Sequence, residues 1–305
     1  MIVFLAKRLA WLVITLWIVF TITFFLMRFI PGGPFVTERN IPPEVERNLR
    51  ARYKLDQPLH IQYLDSLAHI AVFDFGPSTR YADYSVNEII AQGLPISVSL
   101  GILALTLAIT VGLAAGILAA VRRMHLLDYG VMALATIGIA IPNFTLASLA
   151  ILLFVFKYPL FPAGGWGTLH QLILPAICLG APYAAYIARL TRTGMLEVLG
   201  QDYIRTARAK GLSTSRIIVH HALRGTLLPV VSFLGPAVAG IMTGSLVLES
   251  IFYIPGMGTH FIQAANNRDF TLAMGLVLVY TFLLYSMNLL VDIAYTLLDP
   301  RVKLR

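Results

Sequence analysis

The chain has 305 residues, of which 58 % are apolar and 12 % charged, and its mean hydropathy is +0.78. A soluble domain carries about 25 % charged residues, so a water-soluble protein and a disordered chain are both excluded, and the single cysteine, Cys178, excludes a disulfide scaffold. The net charge of +8 fits either a nucleic-acid partner or the inner side of a membrane, and the placement of the charges decides between them.

The first element is an uncharged run over 9–27, about 28 Å long as a helix and close to the hydrocarbon thickness. Lys7 and Arg8 precede it, as in a signal peptide, but the run is too long for a secretory apolar region and no small-x-small cleavage site follows. It reads as a retained first span, 9–30.

A polar excursion occupies 31–92. Ile41-Pro-Pro-Glu44 has the proline and acid of a helix start. Val45, Leu49 and Tyr53 fall four apart, and Leu59, Tyr63, Leu67 and Ile70 continue a helical stripe after Pro58. Asp74-Phe-Gly-Pro-Ser78 marks a turn. The segment predicts two short amphipathic helices on the outer face, either a cap over helix ends or a docking platform for an external partner.

Further apolar stretches predict spans at 95–121, 129–156, 172–188, 226–250 and 270–297. Each is too long and too continuously apolar for a barrel strand, so the expected fold is all-α and integral to the membrane, one domain with six transmembrane helices. Pro142, Pro175, Pro182, Pro229 and Pro236 lie within or beside spans, where packed neighbours tolerate them.

With the N-terminus inside, the inner segments hold fourteen bases: Lys7, Arg8, Arg122, Arg123, Arg189, Arg192, Arg205, Arg208, Lys210, Arg216, Arg224, Arg301, Lys303 and Arg305. The two short outer loops hold only Lys157 and Arg268. After the acids are counted, the inner side carries +10 and the outer side zero, while Glu249 and Asp292 lie in or near spans. The basic excess is therefore a topology signal that places both termini in the cytoplasm, and no nucleic-acid partner is expected.

The segment 189–225 is the longest inner one. Tyr203-Ile-Arg-Thr-Ala-Arg-Ala-Lys-Gly211 combines helix formers with a glycine at the helix stop, and Ser213 or Ser215 can cap a second helix through Arg224. Two readings stand for this elbow: a basic helix resting on anionic membrane lipid, and a knob that fits a protein groove, for which Leu212, Ile217 and Ile218 supply apolar contacts.

Motifs for chemistry are missing. The chain has no G-x-x-x-x-G-K-[ST], no H-E-x-x-H, no Cys/His cluster of metal spacing and no Gly-x-Ser-x-Gly. Neighbouring His220 and His221 point about 100° apart on a helix and do not chelate. Glu249 and Asp292 are the only acids placed for ion coupling.

Tyr203-Ile-Arg-Thr-Ala-Arg-Ala-Lys-Gly-Leu212, followed by Arg216-Ile-Ile-Val-His-His-Ala-Leu-Arg224 and Leu227-Leu-Pro-Val230, resembles the cytoplasmic signature loop of bacterial ABC-importer permeases of the dipeptide/oligopeptide/nickel subfamily. Matches run along the whole chain: Arg28-Phe-Ile-Pro-Gly-Gly-Pro34, Leu55-Asp-Gln-Pro58 with Gln62-Tyr63, Asp74-Phe-Gly76, Gly244-Ser-Leu-Val-Leu-Glu-Ser-Ile-Phe252, Pro255-Gly-Met-Gly258, Asn267-Arg-Asp269 and Asp299-Pro-Arg301. Pro42-Pro-Glu-Val45, Asp74–Ser78 and Asp83-Tyr-Ser-Val86 are most similar to the B-type permease of oligopeptide importers. The general signature Glu-Ala-Ala-x-x-x-Gly falls on Arg205-Thr206-Ala207 and Gly211, so only the last alanine and the glycine match, and the family's glutamate is absent.

The resemblance implies a type I importer permease in the bacterial inner membrane. It would pair with a second homologous permease, two ATP-binding cassette ATPase subunits and an extracytoplasmic peptide-binding protein. ATP would be bound by the partner ATPases, with no cofactor on this chain and no catalysis by it. The coupling site implied is Tyr203, Arg205, Thr206, Ala207, Arg208, Ala209, Lys210, Gly211 and Leu212, with Ala207 allowing close approach of the ATPase groove and Gly211 turning the chain. Alternatives are a permease for nickel or another small solute in the same subfamily, and a stand-alone secondary transporter.

Overall fold

Hydrocarbon offers backbone groups no water, so an apolar run that spans it must satisfy its amides internally, as a helix does. The computed structural model describes residues 2–30, 43–81 and 83–298. The end of the Arg28–Pro34 motif, the Ile41-Pro42 helix start and the terminal Asp299–Arg301 motif lie outside these residues. In chain order the elements are α1 (Ile2–Phe29), α2 (Pro43–Arg52), α3 (Leu59–Ala71), α4 (Val86–Val121), α5 (Leu126–Ala140), α6 (Asn143–Ile151), α7 (Leu169–Leu199), α8 (Asp202–Ala209), α9 (Thr214–Ile217), α10 (Leu223–Ile251), α11 (Met257–Asn266) and α12 (Phe270–Leu298). Wider π turns at Leu152–Lys157 and Ile218–Ala222 extend α6 and join α9 to α10. Among the described residues five helices are long and apolar enough to cross a membrane, or six if α5 and α6 form one bent span.

Three of the differences between the helices and the sequence expectation have a local physical cause. The run 129–156 is not one straight helix: α5 stops at Ala140, and α6 leaves at 107°. Pro142 has no N–H and bars Ile141 from the helical region, so Ile141 and Pro142 are extended, with ψ of 125° and 143°. Pro175, Pro182, Pro229 and Pro236, by contrast, stay inside α7 and α10. Helix α4 starts at Val86, not 95, because Ser85 and Glu88 form a capping box: the Ser85 Oγ accepts the Glu88 N–H at 3.2 Å, and Glu88 Oε2 accepts the Ser85 N–H at 2.8 Å. Helix α7 continues past 188 to Leu199, since charged side chains at its end do not interrupt the backbone ladder.

The chain divides into two compact units, one comprising Ser97–Ile254 and the chain from Leu284, the other Ile2–Ile96 and Pro255–Leu283. In the first, α4 carries Leu100, Ala104, Ala108, Gly112, Gly116 and Ala120 four residues apart, all buried. Opposite them α7 presents Ala176, Gly180, Ala184 and Ala188 at the same spacing. A Cβ on Gly112 would lie 2.7 Å from the Ala184 carbonyl oxygen, one on Gly116 2.6 Å from that of Ala188, and one on Gly180 2.6 Å from that of Ala104. The two backbones therefore touch, the small-residue packing by which helices associate in lipid. At the end of this seam Asp128, at the start of α5, is buried and pairs with Arg192 on α7: Nε donates to Oδ1 at 2.5 Å and Nη2 to Oδ2 at 2.8 Å. Asp128 Oδ2 also accepts the Met124 N–H at 3.0 Å.

In the second unit, Phe20 and Phe24 of α1 form a core with Leu278, against which Tyr63, Leu67 and Ile70 of α3 pack. The stripe read from the sequence thus faces α1 except at Leu59, which is exposed. Gln62 takes the buried position beside it. Its Oε1 accepts from Arg28 Nε at 3.0 Å and Nη2 at 2.8 Å, while its Nε2 donates to the Gln57 carbonyl at 2.7 Å. Arg28, stacked 4.4 Å over Phe24, thereby locks the end of α1 to α3. Asp269 is buried ahead of α12. It accepts from the Ser78 hydroxyl, from Thr79 N and Oγ1 at 3.2 and 3.1 Å, and from the Leu272 N–H at 3.1 Å. One carboxylate thus caps α12 and anchors the turn after α3. In that turn Gly76 has φ +78°, and its N–H, followed by the His69 ring, holds the Asp74 carboxyl below the usual carboxylate range. The stability these contacts add is full above that range and is lost as pH falls through it to the lowered pKa of Asp74.

Two variants test the first unit. Gly116→Val should destabilise it by about 3 kcal/mol or prevent folding, whereas Gly130→Ala, where a Cβ meets nothing within 4 Å, should be neutral or slightly stabilising. Equal effects in equilibrium unfolding in mixed detergent would remove the seam argument. Asp128→Ala should cost about 3 kcal/mol by stranding Arg192, and a charge exchange, Asp128→Arg with Arg192→Asp, should recover part of that loss in the same assay.

Candidate functional site

The polar segment after α7 folds as an elbow on the end of that helix. Gly200 ends α7, and α8 begins at Asp202 with an acid near its positive end. The eight residues of α8 have two inward positions, Ile204 and Ala207, three apart on one face. These pack with Ile217 of α9 and with Val198, Leu199 and Leu212. A neighbouring cluster of Ala120, Met195 and Ala222, with Leu196 and Ile218, carries the contact to the end of α4. The elbow is thus pinned to α7 by its own apolar face.

Helix α8 stops by a Schellman motif. The Leu212 N–H bonds the Ala207 carbonyl at 3.3 Å and the Gly211 N–H that of Arg208 at 2.9 Å. Gly211 has φ +76°, and a Cβ there meets nothing within 4 Å, so only backbone conformation demands glycine. Leu212, the residue after it, completes the motif by packing beside Ala207.

The residues singled out by sequence divide into two groups. Tyr203, Arg205, Thr206, Arg208, Ala209, Lys210 and Gly211 are exposed. Arg205 reaches Asp202 at 3.4 Å, an exposed pair that adds little stability, and the Thr206 hydroxyl donates to the Asp202 carbonyl at 3.1 Å. Ala207 is buried, and Leu212 is half-buried. The Ala207 methyl faces the elbow's own core, where a larger side chain would displace Ile204 or Ile217. The exposed surface of α8 and its cap is Asp202, Tyr203, Thr206, Ala209, Lys210 and the arginines, with no apolar side chain larger than Ala209 apart from the tyrosine.

Sequence reasoning missed the residues that hold this elbow in place. Gly112 and Gly116 are spaced as small-x-x-x-small, a signal legible in the sequence. Asp128 and Arg192, 64 positions apart, carry no local signal, and only the folded chain pairs them. Among the described residues no group of three or more His, Cys, Asp or Glu is arranged to hold a metal.

Comparison with known proteins gives the fold and the family. The profile described as "Binding-protein-dependent transport system inner membrane component" matches residues 112–304, and the corresponding N-terminal profile matches 1–101. The dipeptide transport system permease protein DppB of Bacillus subtilis is 49 % identical over 301 residues, covering 99 % of this chain and 98 % of that protein. The oligopeptide transport system permease protein OppB of Escherichia coli K12 is 45 % identical over 305 residues, covering 99 % of this chain and all of that protein. Among solved structures, the MetNI methionine ABC transporter in an inward-facing conformation matches with a TM-score of 0.59 and 19 % identity, over 69 % of this chain and 96 % of the matched one. The fold is thus all-α and multi-pass, of the type I importer permease kind. With relatives this similar over their full length, the chain belongs to the binding-protein-dependent transport system inner membrane components, among the dipeptide and oligopeptide permeases.

Proposed function

We propose that this chain is the membrane permease of an ATP-driven peptide importer and that its elbow, Tyr203–Leu212, is the coupling site for a partner ATPase. Full-length similarity to dipeptide and oligopeptide permeases carries the proposal. Both termini face the cytoplasm, and the elbow projects on that side; the excess of Lys and Arg in the inner segments supports this orientation. A second homologous permease completes the pathway, two ATPases hydrolyse ATP, and an extracytoplasmic binding protein delivers peptide near α2 and α3.

In this mechanism the chain contributes geometry, not chemistry. An ATPase groove grips the exposed side of α8 through Tyr203, Thr206, Arg205 and Lys210. Force applied there passes through Ile204, Ala207 and Ile217, which pack with Val198 and Leu199, to the end of α7 and into α10. Helix α7 transmits the displacement along its seam with α4 and, through Arg192 and Asp128, to α5. The elbow acts as a handle on a packed bundle.

Two classes of elbow variant behave differently under this proposal. Tyr203→Ala and Thr206→Ala, on the exposed side, should leave the melting temperature of the purified permease nearly unchanged and lower peptide uptake and binding-protein-stimulated ATPase activity by at least about tenfold. Ala207→Leu should lower melting temperature and uptake together. At Gly211, Val should abolish coupling, while Asn, which tolerates the left-handed region, should retain most of it. Full uptake and stimulated ATPase in the Tyr203, Thr206 and Gly211→Val variants would overturn the coupling assignment. Nickel uptake without peptide uptake by the unaltered importer would overturn the cargo.

A further inference from the structure

At the base of the elbow, the ends of α4 and α7, the α8 helix and α9 enclose a pocket of about 290 Å³. Its walls include Leu196, Leu199 and Ile218, and the charged and polar residues that line it are Arg123, Arg208 and Thr214. The two arginines lie 85 positions apart and on different elements, yet both line this space. No carboxylate lines it. Among the described residues neither guanidinium makes a hydrogen bond or ion pair within the chain. The acid whose field reaches Arg123 is Asp128, which is held by both arms of Arg192 and by the Met124 N–H.

Two like charges beside an apolar wall repel each other unless an anion joins them. Two guanidinium forks suit the oxygens of a phosphate, which they bind as charge-assisted pairs. The surroundings identify the source of that phosphate. The end of α4, the turn after it and the start of α5 expose Val121, Met124, Leu126 and Leu127, with Leu126 91 % exposed, beside Arg122 and Arg123. Apolar side chains displayed in this way next to arginines mark the boundary between hydrocarbon and headgroups. We propose that the pocket binds an anionic phospholipid of the inner leaflet. Its phosphate sits between Arg123 and Arg208, and the upper part of an acyl chain lies on Leu196, Leu199 and Ile218. The lipid then bridges the end of α4 to α8, and the charge of the inner leaflet sets how firmly the elbow is held. The inner-face placement rests on the topology proposed above, but lipid binding does not depend on the cargo.

The test reads lipid, not transport. The assembled importer is reconstituted in nanodiscs of phosphatidylcholine containing a graded fraction of phosphatidylglycerol, then released for native mass spectrometry and thermal melting. The wild type should retain phosphatidylglycerol saturably and melt at a higher temperature as its fraction rises. Arg123→Gln and Arg208→Gln should each weaken retention by at least about tenfold, while Arg122→Gln, outside the pocket, should match the wild type. Arg123→Lys and Arg208→Lys, which keep the charge and lose the fork, should be intermediate and serve if the Gln variants do not assemble. Non-saturable retention by the wild type, or undiminished retention in the variants, would overturn the proposal. So would two further results: inorganic phosphate in phosphatidylcholine discs reproducing the arginine-dependent shift, or variants that shed ATPase subunits while holding lipid as the wild type does.

Discussion

Backbone contact between α4 and α7 is the constraint on which the rest of the first unit depends. In lipid an apolar side chain gains little by leaving its surroundings for another helix, so association must come from close packing and polar contacts. Gly112, Gly116 and Gly180 allow the two helices to approach until any Cβ would meet a carbonyl oxygen. That approach fixes where the end of α7 lies. The elbow is an extension of α7, so its position is fixed by the same glycines, none of which belongs to it. Asp128 and Arg192 then tie α5 to the same helix.

The elbow itself shows how an apolar core can make a handle. Ile204 and Ala207 face inward and leave the remaining side chains of α8 to the outside. The small residue of the signature loop serves this inward packing, and its glycine serves the Schellman stop. Neither requires a partner chain to explain it. What a partner would meet is polar and basic, in keeping with a surface that must stay hydrated when unoccupied. The second unit uses the same economy: Gln62 joins α1 to α3, and Asp269 both caps α12 and anchors the turn at Ser78 and Thr79. The family motifs Gln62-Tyr63, Asp74-Phe-Gly76 and Asn267-Arg-Asp269 thus have structural reasons in this chain.

How much was legible follows from the range of each effect. Burial of a continuous apolar run in lipid is local and strong, so the helical segments could be read one at a time. The stop of α8 at Gly211 was readable for the same reason, since a left-handed residue after helix formers depends only on near neighbours. The bend at Pro142 was less legible because the same residue type stays inside α7 and α10. Whether a proline ends a helix or is absorbed depends on what packs against it. The early start of α4 had a local signal, Ser85 followed by Glu88, which the search for uncharged segments passes over because Glu88 is charged.

By itself the sequence determined a multi-pass helical membrane protein, its family and the local turn at Gly211, because these rest on hydropathy, spacing and short-range backbone preference. Only the tertiary structure decided that Ala207 faces inward, that Asp128 meets Arg192, and that Arg123 and Arg208 share one pocket. Each of these joins residues that are distant in the chain or chooses between two faces of one short helix. The energy that makes the choice comes from packing against other helices, which no local pattern of residues contains.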